Sequence, residues 1–206
     1  KNYAYPVDSI TITKAGPVVI KFTATADGSL YMNSLKLVKT AYVAPQIDIT
    51  MQQGAQVRFN EVTGMRFKAT VDTAAVDEYI ALGYTVTMGT LIAPADKFDS
   101  YQDLTFEADE NNYLNVVTTG YFNEESGVIA GSISNIKEAN YGRNFIARSY
   151  VKLAKDGIET VCYATENDNT RSIKYLAQAI IKDGSYANEA QLAWLNKWAA
   201  AADWKA

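Results

Sequence analysis

The spacing of apolar residues changes once along this chain, and that change limits the folds open to it. Up to about residue 164 apolar and polar residues alternate in short runs, the two-residue period of strands with one buried face. From Asn169 onward the spacing lengthens to that of helices. Ser9–Thr13, Val18–Thr25 and Leu30–Val38 read as strands, separated by the turn residues Lys14-Ala15-Gly16-Pro17 and Ala26-Asp27-Gly28-Ser29. Three strands make a weak domain alone, so residues 1–43 call for partners, before Lys1 or in the rest of the chain. The chain opens on Lys1 without a Met and reads as a piece of something longer.

Ala44-Pro45 is the expected boundary, dividing residues 1–43 from a β-rich unit over 44–206. There the pattern predicts strands at Ala55–Asn60, Gly64–Val71, Tyr84–Ile92 (broken at Gly89), Leu104–Glu107, Tyr113–Thr119, Val128–Ile133, Asn144–Leu153 and Ile158–Ala164. A short helix is expected over Thr73–Leu82, capped by Asp72 or Thr73 and stopped at Gly83. In the tail, Ile173, Leu176, Ala177, Ile180 and Ile181 form a stripe behind Asn169-Thr170 as the cap, ending at Gly184. Asn188 caps a last helix carrying Leu192, Leu195 and Ala199. The short link makes the two helices an antiparallel pair. The expected class is α+β: a mainly antiparallel, β-sandwich-like core with a C-terminal antiparallel helix pair.

What the chain lacks narrows its chemistry. It contains no histidine, which excludes a Ser-His-Asp triad, a Cys-His pair and any His-ligated metal. The single Cys162 excludes an internal disulfide and a cysteine metal cluster. It reads as a small apolar strand residue, and pairing with Gln178 as a thioester has nothing local to support it. Asp and Glu outnumber Lys and Arg by 23 to 19, the wrong balance for a nucleic-acid partner. No apolar run approaches the roughly 20 residues of a membrane span, so no membrane insertion is expected. Asp109–Asn112 and Glu166–Asn169 offer oxygens to a cation but lack the alternating spacing of a calcium loop. No metal or cofactor is expected.

The aromatic residues are the candidates for a ligand surface. Trp194 and Trp198, four apart on the last helix, share a face. They either expose a stacking platform or clamp the helix onto the sheet. Tyr101 (with Phe98), Tyr113 and Tyr121 (with Phe122) sit in loops rich in Asn, Asp and Glu, the composition of many contact surfaces and also of ordinary turns. The carboxylates offer no spacing that singles out a hydrolytic pair. Arg66, Arg143, Arg148 and Arg171 lie in or beside apolar runs and suit half-buried contacts with carbonyls and carboxylates.

Two stretches carry family likenesses. Thr11-Ile12-Thr13-Lys14-Ala15-Gly16, Val19–Thr23 and Leu30–Leu37 resemble the closing strands of galactose-binding-like β-sandwiches, the fold of many carbohydrate-binding modules. Over residues 52–200, Gly64–Ala69, Gly89–Pro94, Ile133–Ile136, Tyr141–Tyr150 and Asn169–Ile173 resemble an accessory module of secreted and cell-surface multidomain proteins of anaerobic gut bacteria. The resemblance implies an extracellular or cell-surface location beside glycan-degrading or glycan-binding domains, and no catalytic activity. The resulting expectation is a non-catalytic module that binds a polysaccharide or supports a glycan-binding neighbour in the same chain. The alternative is a structural spacer or protein-interaction domain.

Overall fold

The computed structural model describes residues 44–58 and 63–205. The chain divides into two compact units, Lys1–Ala44 and Pro45–Ala206. The strands expected at 9–13, 18–25 and 30–38 lie outside the described residues.

The described residues of the second unit form two four-stranded antiparallel sheets and three α-helices. In the first sheet β3 (Gly64–Val71) is central. β6 (Val128–Ser134) pairs with nearly its whole length, while β1 (Ile49–Met51) and β2 (Gln56–Arg58) pair with its two ends. A strand has two edges, so β1 and β2 share the one that β6 leaves free. The second sheet has the order β5 (Leu114–Thr118), β4 (Thr85–Pro94), β7 (Phe145–Lys155), β8 (Ile158–Tyr163). Alternation explains the first sheet: Met65, Phe67, Ala69 and Val71 turn inward and are buried, whereas Arg66, Lys68 and Thr70 turn outward.

The long strands of the second sheet read differently. β4 is buried continuously from Gly89 to Ala93, and β7 is buried at Phe145–Ala147 and Ser149–Val151. Such runs belong to strands covered on both faces. One face, with Ile92, Ala147, Val151 and Leu153, joins Met51, Met65 and Phe67 of the first sheet in the main core. The other face, with Leu91, Ala93, Ile146 and Tyr150, packs with Leu104 into a second, smaller core. The sheets approach closely at Gly131, where a Cβ would stand 2.5 Å from that of Thr90. Thr90 is buried there and shares a 2.9 Å hydrogen bond with Ser149. Thr165 ties the end of the second sheet to β1, its N–H donating to the Ile49 carbonyl and its carbonyl accepting from Met51.

Several expectations change against this structure. Gly89 does not interrupt β4: it stands opposite Tyr150 on β7, and a Cβ would strike the Tyr150 hydroxyl at 2.5 Å. The glycine makes room for the ring. Leu104–Glu107 is not a strand. Tyr101–Asp103 forms a 3-10 turn whose Asp103 carboxylate accepts from the Ser100 N–H and hydroxyl, and Leu104 then plugs the small core.

α1 (Thr73–Ala81) is capped by Asp72, which accepts from the Ala75 N–H, and Gly83 follows it at φ 84°. α2 (Ile173–Asp183) begins later than expected, with Ser172 rather than Asn169 or Thr170 as its cap. Asn169 is fully buried and donates to the Ala147 carbonyl at 2.6 Å, and Arg171 bridges Phe145, so the chain is still strand-like there. α3 (Glu189–Ala199) is capped by Asn188. Gln178 donates to the Ala199 carbonyl and Lys174, near the start of α2, reaches Asp203 beyond the end of α3, so the pair is antiparallel. No helix among the described residues is long and apolar enough to cross a membrane.

Candidate ligand-binding surface

β4 and β5 are antiparallel neighbours, which a two-residue turn can join. Residues 95–113 join them instead, folding over the outer face of the second sheet with three 3-10 turns, Ala95–Lys97, Tyr101–Asp103 and Glu110–Asn112. Long connections without secondary structure are uncommon in compact units and are usually either functional or linker segments; this one is ordered by its 3-10 turns.

Aromatic packing holds this cover down. Phe106 lies edge-on to Tyr150 at 4.8 Å between ring centroids and touches Tyr163 and Tyr113 at 6.2 and 6.5 Å. Its N–H donates to the Tyr163 hydroxyl at 2.9 Å. Arg148, projecting from β7, donates to the Gln102 carbonyl at 2.7 Å and to the Ala164 carbonyl at 3.3 Å. Its guanidinium stacks over Tyr101 and Tyr163. At the start of the cover Asp96 takes a two-pronged ion pair from Arg143, both contacts at 2.7 Å. That hydrogen bond holds the Asp96 carboxyl below its ordinary value.

The outside of the cover forms an open depression of about 480 Å³, lined among others by Phe98, Asp99, Gln102, Glu107, Asp109 and Asn112. The Thr105 hydroxyl lowers the pKa of Glu107, and the Asn111 backbone N–H lowers that of Asp109. Both are therefore ionised at neutral pH and act as hydrogen-bond acceptors. With the amides of Gln102 and Asn112 and the ring of Phe98, the depression offers acceptors, donors and one apolar face. That combination suits a polyhydroxylated ligand. Among the described residues no group of three acidic or thiol side chains is placed to hold a metal ion.

The five aromatic candidates do not converge. Tyr101, within the cover, is buried and donates to the Ala164 carbonyl; burial pushes its phenol well up, so it stays neutral. Tyr113 is half-buried at the edge of the small core. Tyr121 is half-buried against the main core, and burial raises its phenol too. On α3 the two tryptophans divide: Trp198 is 1% exposed in the main core and Trp194 is 43% exposed, their centroids 5.9 Å apart. Of the two readings, stacking platform and clamp, each ring takes one: Trp194 is exposed, and Trp198 is buried with Leu195 in the main core.

The arginine reading fares differently. Arg143, Arg148 and Arg171 are engaged with Asp96, with carbonyls, and with Asp168 respectively. Phe106, the centre of the aromatic cluster, carries no sequence signal beyond the alternation that reads as a strand. No family model matches this chain, and no curated protein or solved structure matches it either.

Proposed function

We propose that this chain is a non-catalytic module of an extracellular bacterial protein and binds a glycan in the depression on the 95–113 cover. The observation that carries the reading is the cover itself, a folded excursion where a tight turn suffices, pinned by Arg148 and Phe106. A rigid support under a polar, open, hydroxyl-accepting surface favours binding of an extended polymer over enclosure of a small molecule. The extracellular setting rests on the resemblances read from the sequence. Retention of the chain on insoluble starch, cellulose, xylan or mucin, with affinity electrophoresis in soluble glycans, tests the proposal. Binding to one polymer supports it, and retention on none overturns it.

A second reading, a spacer or protein-interaction domain, is favoured by a different observation. Trp198 and Tyr101, two of the rings best suited to stacking on a sugar, are buried and serve the fold.

A further inference from the structure

The five arginines divide into two sets. Arg143 and Arg171 hold carboxylates and Arg148 holds carbonyls, all three within the fold. Arg58 and Arg66 have no carboxylate within 4.0 Å among the described residues, and neither has Lys68. These three cations share one surface, the outward face of the first sheet. On β3 Arg66 and Lys68 are two residues apart and so project to the same side, about 7 Å from one another along the strand. Val57 packs inward on β2, which turns Gln56 and Arg58 to that side as well.

The register fills in the surface. Arg66 stands between Gln56 and Ser132, Gly64 stands between Arg58 and Ser134, and Lys68 stands beside Ala130. Small neighbours leave the cations room. At the β6 edge lies Phe122, 50% exposed, with Lys68 Nζ 4.3 Å and Arg66 Cζ 5.0 Å from its ring centroid. Among the described strand residues facing outward here there is no carboxylate, although the chain carries net charge −4; in sequence Glu61 stands between Arg58 and Gly64, and Glu124 and Glu125 follow Phe122.

We propose that this face is a second binding site and takes an anionic polysaccharide, bearing sulfate or carboxylate groups. The cations supply charge complementarity, Phe122 supplies a ring for the sugar to pack against, and Gln56, Ser132 and Ser134 meet its hydroxyls. β3 is paired on both edges, so a peptide cannot lie beside Arg66 and Lys68 as an added strand and would meet them only through side-chain contacts across the face. The site shares the ligand class of the proposed function but uses a different surface with the opposite charge.

Affinity electrophoresis of the full chain in dextran sulfate, unsulfated dextran and polyglutamate tests it. Dextran sulfate retards the wild type, and unsulfated dextran and polyglutamate do not. Arg66→Gln/Lys68→Gln weakens the retardation at least tenfold, and Phe122→Ala weakens it severalfold with the net charge unchanged. The charge-matched control Lys137→Gln/Lys182→Gln, on exposed lysines elsewhere, leaves it within twofold. The inference is overturned if dextran sulfate does not retard the wild type, if the double variant binds as well, or if polyglutamate binds equally. A wild type held by a neutral polysaccharide but not by dextran sulfate sinks this site and leaves the depression standing. The reverse result leaves this site standing alone.

Discussion

Arg148 on β7 donates to the carbonyl of Gln102 at 2.7 Å, and through that bond a buried sheet holds the loop that carries the candidate site. The same guanidinium lies over the rings of both Tyr101 and Tyr163, at 5.2 and 4.7 Å from their centroids. A planar cation with a fork of donors can do both; an ammonium cannot.

Arg148→Met is therefore expected to destabilise the unit by about 2 kcal/mol, the range for losing hydrogen bonds from a charged group. Arg148→Lys is expected to recover less than half of that. Urea denaturation gives the stability, and hydrogen exchange gives the location. Faster exchange confined to residues 95–113 identifies Arg148 as the pin of the cover, and unchanged exchange there contradicts that role.

The two tryptophans of α3 separate by burial, 1% for Trp198 against 43% for Trp194. Trp198→Ala removes a filled volume from the main core and is expected to cost about 3–5 kcal/mol. Trp194→Ala removes an exposed ring and is expected to cost under about 1 kcal/mol. Thermal denaturation of the two variants side by side checks the contrast, and similar losses contradict the packing described for α3.

Asp96 shows how acid acts on the cover. Its carboxyl lies below the ordinary value of 3.8, first through the Arg143 hydrogen bond and then the Arg143 charge, so the folded state favours the ionised form. A group with a depressed folded pKa contributes stability above its unfolded value and loses it as pH falls through the folded one. The wild type's advantage over Asp96→Asn is accordingly expected to be constant from pH 7 to about 5. It then shrinks below pH 4, in a denaturation series run across that range. An advantage that grows on acidification contradicts the ion pair.

Much of the fold is legible in the sequence where one physical signal dominates. Gly64–Val71 alternates without exception and forms a strand with those same ends. Asp72, Gly83, Gly184 and Asn188 mark helix ends because their capping chemistry is local. Legibility fails where tertiary contacts decide. Leu104–Glu107 alternates, but no strand lies beside it, so the alternation becomes one plug residue and a turn. Asn169 has the chemistry of a cap and is used as a buried tie to Ala147. β1 is three residues long and carries too short a period to be read.

The candidate site is less legible still. Tyr101 and Tyr113 do belong to the cover, yet both help to hold it in place. The depression draws on Asp99, Gln102, Glu107, Asp109 and Asn112, polar residues indistinguishable in sequence from any turn. Phe122 is noticed with its loop, but its pairing with Arg66 and Lys68 depends on sheet register.

The central claim is that the depression on the cover contacts a glycan, and its most direct test compares two proteins on one polymer. Asp99→Asn/Glu107→Gln alters the acceptors of the depression and leaves side-chain volume and fold intact. Affinity electrophoresis in the soluble form of whichever polysaccharide retains the wild type is the measurement. The account predicts at least a tenfold weaker retardation for the variant, with an unchanged melting temperature. Equal retardation of the two proteins would contradict it and place any glycan contact elsewhere on the chain.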